Sequence, residues 1–343
     1  MCGDAGSLVL VEMPPTIWHR AVALGALVTA FSGAAAPSLP VMRRGTAPQD
    51  SLAGPVIVSA TGSMTGTFAK LLAAFHSLHP AIVPVLRSGG TIATVRDVAE
   101  PTRVPDVLVS ADDTIIDALL VPRYATWSAG FARTALVLAY TEQSKYADEI
   151  TSVSWADVLT RPSVHGARGD PSLDPAAYRA IMLFELASRF YGRPRLVSRL
   201  THTMPVTDFG PSEHDLEFKF ASGEIDYMPM YRVSAAERGL HWLELPAPIN
   251  LGDTSFASTY ASASITIPAG IAGAPDSIVI RGAPILYGLT VPTTAPHPAA
   301  ALAFAAFVLS PAGTAIIHDE GFDVPPHPVI HGAVPPALAD ARR

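Results

Sequence analysis

Val56-Ile57-Val58-Ser59-Ala60-Thr61-Gly62-Ser63-Met64-Thr65-Gly66 runs from a short β-branched segment into a turn of glycine and hydroxyl residues. Phe68, Leu71, Leu72 and Phe75 follow at the spacing of one helical face. The same design recurs at once: Val83-Pro84-Val85-Leu86 reads as a strand, Arg87-Ser88-Gly89-Gly90-Thr91 as a turn, and Ile92 to Val98 as a helix. Asp106 to Ser110 is a third strand, and Asp112-Asp113-Thr114 opens another helix. Strands alternating with helices predict an α/β fold with a parallel sheet, whose ligands sit outside the carboxyl ends of the strands. Ser63 or Thr65 is in one reading only a helix cap. In the other, glycine lets the backbone approach an anion at a helix N-terminus.

Downstream, Ala135 to Tyr140 is an unbroken apolar strand, after which Thr141-Glu142-Gln143-Ser144-Lys145-Tyr146 changes character. This marks the passage into a second lobe, and Ile285 to Pro292 marks the return. The second lobe holds Gly169-Asp170-Pro171-Ser172-Leu173-Asp174-Pro175-Ala176-Ala177-Tyr178-Arg179-Ala180. There Asp174 reads as an N-cap and Pro175 as the first helical residue, with Met182, Leu183, Leu186 and Phe190 on one face. Either this is a well-capped surface helix, or its N–H groups face a bound oxyanion. Ser212 and Asp215 resemble a capping box that places Glu213 in the first turn of another helix, with Leu216 and Phe220 on one face. Gly223 to Tyr231 reads as a turn and strand ending in a tyrosine hydroxyl able to reach a cleft. Helices are expected over 299–309 and 312–318, and the Pro- and His-rich tail from Pro325 is expected to be peripheral.

Composition bounds the function. At 343 residues the chain is long enough for two lobes, and 49% hydrophobic against 15% charged residues describes a folded protein. A net charge of −7 argues against nucleic-acid binding, so any anion must be held locally. The single cysteine, Cys2, allows neither an internal disulfide nor a cysteine zinc site. His19-Arg20, the apolar run Ala21 to Phe31 and the small-residue ending Ala34-Ala35-Ala36 form a secretory signal pattern, followed by a linker over 37–53. The protein is therefore expected to be exported, periplasmic or extracellular. No G-x-S-x-G, G-x-G-x-x-G, Walker or H-E-x-x-H motif is present, so no enzyme is expected. His76 and His79 read as solvated residues rather than metal ligands.

Thr61-Gly62-Ser63, Gly90-Thr91 before Val95-Arg96, Tyr124 to Trp127, Phe131-Ala132-Arg133, Leu138 to Glu142 before Ser144 to Ile150, Asp174-Pro175 before Tyr178-Arg179-Ala180, Pro211 to Leu216, and Ser222 to Tyr227 come in one order. Together they resemble the tungstate/molybdate-binding proteins of ABC importers, over about Val56 to Phe322. The resemblance implies a two-lobed class II periplasmic-binding-protein fold, with lobe 1 from 54–136 and 285–335, lobe 2 from 137–284, and a ligand cleft between lobes joined by two crossing strands. It implies a monomer that captures molybdate or tungstate, with no cofactor, and delivers it to a membrane permease. Residue by residue, it assigns the oxyanion to Gly62, Ser63, Thr91, Asp174, Pro175, Ala176, Glu213 and Tyr231. Asp174 and Glu213 would add two carboxylates to the metal's four oxo groups. The chain departs from the family in a shortened insert before Pro211, in threonine for serine at Thr91, and in Ala176-Ala177 for a Cys-Gly pair. The shortening makes Glu224 the alternative second carboxylate. A carrier of another oxyanion or a small organic acid, or a secreted hydrolase, are the competing readings.

Overall fold

The computed structural model describes residues 8–9, 52–207, 213–336 and 338, with Leu8, Val9, Glu213 and His214 by backbone only. The expected signal segment and linker otherwise lie outside the described residues, as do Pro211 and Ser212. Twelve strands are present among the described residues: β1 (Leu8–Val9), β2 (Gly54–Thr61), β3 (Ile82–Gly89), β4 (Val107–Ser110), β5 (Trp127–Arg133), β6 (Leu136–Tyr140), β7 (Met228–Tyr231), β8 (His241–Glu244), β9 (Ser264–Pro268), β10 (Ser277–Arg281), β11 (Leu286–Thr290) and β12 (Val329–Gly332).

The first lobe is built on a seven-stranded sheet in the order β1-β3-β2-β4-β11-β5-β12. β2 pairs in parallel with β3 and β4, as the repeated strand–turn–helix units predict. The rest of the sheet is not parallel: β11 is antiparallel to β4 and β5, and β12 is antiparallel to β5. The cause is topological, because β11 enters from the second lobe and runs against the strands it joins. β3 also continues through Arg87 and Ser88, which had read as turn, because its pairing with β2 extends to Thr61 opposite Gly89. The tail is peripheral only in part, since Val329–Gly332 completes the sheet edge.

The helices Thr65–Leu78 and Pro298–Val308 cover this sheet. Phe68 packs edge-on against Phe131 and Phe304 at 6.1 and 6.2 Å, and Phe75 against Phe304 at 5.2 Å. Such ring pairs add to the large apolar area each buries. Among the described residues no single helix is long and apolar enough to cross a membrane.

The second lobe is built on the antiparallel sheet β7-β6-β8, against which the sixteen-residue helix Pro175–Phe190 packs, with the β9–β10 hairpin beside that helix. Met182, Leu183 and Leu186 are buried as expected, whereas Phe190, in the last turn, is half exposed. Leu216 and Phe220 on Glu213–Ala221 also face inward. The two apolar strands read as crossings each belong to one sheet, β6 to the second and β11 to the first. The chain passes between lobes in the short segments just before them. There Leu136 N donates to Asn250 O at 2.8 Å and Ile285 N to Leu251 O at 2.7 Å, so one loop ties both passages together.

Asp106, fully buried at the start of β4, accepts from Ile57 N (2.8 Å) and from His297 N (2.6 Å) and pairs with His297 Nδ1 (3.0 Å). It thereby fixes β2 to the start of the helix Pro298–Val308. Asp106→Ala would strand these donors and should cost about 2–4 kcal/mol, read as a lowered urea midpoint. A change under about 0.5 kcal/mol would show that water replaces the carboxylate.

Candidate functional site

Gly62, Ser63 and Met64 form a 3-10 turn between β2 and its helix. A Cβ placed on Gly62 would meet nothing within 4 Å, so this backbone borders open space. Ser63 Oγ lies 2.9 Å from the hydroxyl of Tyr287, and Thr65 Oγ1 donates to Gly62 O. No side chain caps the helix Thr65–Leu78, so Ser63 and Thr65 are not its N-caps. Likewise no side chain caps the helix Thr91–Asp97. Thr91 is fully buried: its hydroxyl donates to Thr61 Oγ1 at 2.9 Å and accepts from Ala111 N at 3.3 Å. Its hydrogen is thus given to Thr61 within the protein. The position's remaining contribution is its place at a helix N-terminus.

Across the cleft, Asp170 shapes the turn before the Pro175 helix by accepting from Ser172 N and Ser172 Oγ at 2.8 and 2.7 Å. Those two bonds hold its pKa below the usual carboxylate value. Leu173, in the same turn, accepts from Ile92 N at 3.3 Å and so links the two lobes. Asp174 is the N-cap and Pro175 the first helical residue. Asp174 Oδ1 accepts from Ala176 N at 2.9 Å; among the described residues, no donor is bonded to Oδ2 and no cation is within ion-pair distance. Burial pushes its pKa up, against the opposing pull of the Ala176 N–H and of Arg179.

Tyr231, at the end of β7, is buried edge-on against Tyr287 with ring centroids 5.7 Å apart. Burial raises the pKa of both phenols, so both are protonated at neutral pH. Gly62, Ser63, Thr91, Asp174, Pro175, Ala176 and Tyr231 therefore belong to one connected neighbourhood. Glu213 opens the helix Glu213–Ala221, and its side chain lies outside the described residues. The alternative carboxylate, Glu224, is a half-exposed residue paired with Lys219. It lines a different cavity of about 600 Å³, with Arg161, His165 and His202, that contains none of the assigned residues. His76 bonds Ile82 O and His79 packs on Phe75; among the described residues, no group of three metal-ligating side chains occurs.

Sequence reasoning assigned no role to the buried set beneath these residues. Arg179 Nη2 pairs with Asp112 Oδ2 at 2.9 Å, and its Nη1 donates to Ala111 O and Tyr231 Oη at 2.7 and 2.6 Å. Tyr178 also donates to Asp112 Oδ2. The adjacency Tyr178-Arg179 one turn past an N-cap was the available signal, but nothing local named Asp112 as the partner. Beside it, Asp113 is packed against Gly288, where a Cβ would come within 2.8 Å of its own. Burial pushes the Asp113 pKa up to about 7, aided by Asp112 and Asp117 and opposed by Arg179 and His331.

The folded protein thus holds a proton on Asp113 that the unfolded chain releases near 3.8. The resulting stability is complete below that value and lost as pH rises to about 7. The urea midpoint should be higher near about pH 5 than near about pH 8, and Asp113→Asn should flatten the difference. An unchanged slope in Asp113→Asn would place the titration elsewhere.

The family model for bacterial extracellular solute-binding proteins matches residues 56–323. An uncharacterised solute-binding protein of Petrotoga mobilis is 36% identical over 272 residues, spanning 79% of this chain and 84% of that one. The molybdate/tungstate-binding protein WtpA of Pyrococcus abyssi is 32% identical over 306 residues, spanning 82% and 87%. Among solved structures, the Azotobacter vinelandii periplasmic molybdate-binding protein superposes with a TM-score of 0.54 at 16% identity, covering 79% of this chain and 99% of that one. The sulfate-binding protein SubI of Mycobacterium tuberculosis gives the same TM-score and identity, covering 84% and 90%. At such identities the likeness is one of fold: both are periplasmic binding proteins of the two-lobed type.

Proposed function

The chain belongs to the family of bacterial extracellular solute-binding proteins, and from that premise we propose that its cleft captures molybdate or tungstate for delivery to an ABC permease. The observation that carries this reading is Asp174: a partly buried carboxylate at a helix mouth, with one oxygen engaged by its own helix and no cation paired to it among the described residues. A carboxylate facing a sulfate or phosphate would repel it by several kcal/mol, on the order of 4 at close range. Mo(VI) and W(VI) expand from four to six oxygen ligands, so the same carboxylate becomes a bond to the metal. Asp174 and Glu213 are the two carboxylates in this reading. Helix-terminal N–H groups at Gly62, Ser63 and Thr91 and the Ser63 and Tyr231 hydroxyls hold the oxo groups, while Pro175 sets the helix start and the Ala176 N–H holds the Asp174 carboxylate in place. The likeness to WtpA supports the choice of oxyanion.

In the same reading the segment over 1–36 directs export, residues 54–136 with 285–335 and residues 137–284 form the two lobes, and the protein acts as a monomer. Closure of the lobes buries the ligand, with the paired passages at Leu136 and Ile285 as the hinge.

Calorimetric titration of the chain from Pro37 onward with tungstate, molybdate, sulfate and phosphate tests the reading. Tight binding of the first two alone is expected, with a loss on the order of a hundredfold in Asp174→Ala and in Glu213→Ala. Equal binding of sulfate, or indifference to both substitutions, would reduce the cleft to a hydrogen-bonded anion site.

A further inference from the structure

The β9–β10 hairpin belongs to the second lobe by its base. Gly282 N donates to Ala263 O at 2.9 Å, β9 lies beside the Pro175 helix, and Arg189 Nη1 of that helix donates to Ser262 Oγ at 3.2 Å. The tip of the hairpin, by contrast, is held by the first lobe. Arg96 Nε donates to Ala269 O at 3.2 Å and Arg96 Nη2 to Pro268 O at 3.0 Å, while Arg123 Nη1 donates to Ala272 O at 2.8 Å. Two glycines shape the tip to receive these side chains. Gly270 and Gly273 have φ of +64° and +79°, and a Cβ on the first would run into the Arg96 guanidinium and on the second into that of Arg123. A larger residue at either place is strained and stands in the arginine's path.

The grip reaches the cleft through one short helix. Arg96 is in the last turn of Thr91–Asp97, and Ile92, in its first turn, donates to Leu173 O of the second lobe. The second lobe therefore fastens this helix at both ends. The three acceptors at the hairpin tip are neutral carbonyls, and Arg96 is only half-buried while Arg123 is exposed. Parting the lobes hands these donors and acceptors to water, at a cost far below that of breaking a buried ion pair. Bonds of this kind bias an equilibrium without freezing it.

We infer that the hairpin tip is a reversible latch between the lobes: Arg96 and Arg123 hold its carbonyls while the cleft is shut and release them when it opens. The inference rests on the proposed closure of the lobes around an oxyanion. The latch governs how long the ligand stays rather than how fast it enters, because its bonds form only once the lobes have met.

The test follows radiolabelled tungstate chased by the unlabelled anion. In the double variant Arg96→Ala, Arg123→Ala, release should be about tenfold faster, with association within about twofold of wild type. Gly273→Ala, which keeps both arginines but fills the place of the Arg123 guanidinium, should speed release in the same direction. Val279→Thr, on the exposed face of the same hairpin, should change neither rate. A release rate within about twofold of wild type in the double variant, or release speeded equally by Val279→Thr, overturns the latch. Should circular dichroism show the double variant unfolded, Arg123→Ala alone, at an exposed residue, must speed release. Small-angle scattering of the ligand-free protein needs no anion, and the double variant should there have a larger radius of gyration than wild type. Wild-type protein that binds no tungstate would defeat the oxyanion reading, and the latch is then judged by scattering alone, an unchanged radius overturning it.

Discussion

The carboxylate of Asp112 receives donors from both lobes. Thr114 donates to it from the first lobe, and Tyr178 and Arg179 reach it from the first turns of the Pro175 helix in the second. A buried ion pair contributes little over apolar packing when complete, yet its loss is severe when one partner goes, because a desolvated charge is left behind. Here every acceptor position is filled, which is the condition under which a buried polar network holds one geometry. Where the start of the Pro175 helix stands relative to the first lobe, and hence where Asp174 stands, follows from this carboxylate.

The same pairing determines which charges are left over. Arg179 is neutralised by Asp112, so it can lean on Tyr231 without offsetting Asp174 in full. Burial raises the pKa of Asp174 even with Arg179 nearby. A helix cap neutralised by a direct salt bridge would be inert filler. Without that bridge, the cap keeps a carboxylate at the helix mouth that burial makes costly to charge.

Much of this was legible locally. The units from Val56 to Val98 announced themselves through periodicity and turn residues, and Asp174-Pro175 announced a helix start whose cap geometry is the one observed. Elements that depend on distant partners were not legible. Trp127-Ser128-Ala129-Gly130-Phe131-Ala132-Arg133 is rich in small residues, and it is a strand because Leu286, more than a hundred and fifty positions later, packs where a Cβ on Gly130 would stand. Val329–Gly332 sits in a Pro- and His-rich tail and is a strand only because β5 offers it an edge. In the site, the residue types were readable but the polarity of their bonds was not. That the Thr91 hydrogen goes to Thr61, and that Tyr231 accepts from Arg179, depends on groups brought together by the fold across some thirty to fifty positions.

β11 sits in the middle of the first sheet, between β4 and β5, although its residues follow the whole of the second sheet in the chain. A chain emerging from the ribosome therefore has β4 and β5 in hand long before the strand that separates them exists. Until Leu286–Thr290 has been made, the first lobe can form no more than its β1-β3-β2-β4 portion, and β5 has neither of its neighbours. Contacts of such sequence separation form slowly. The molecule is thus kept from completing its fold until most of it has been synthesised.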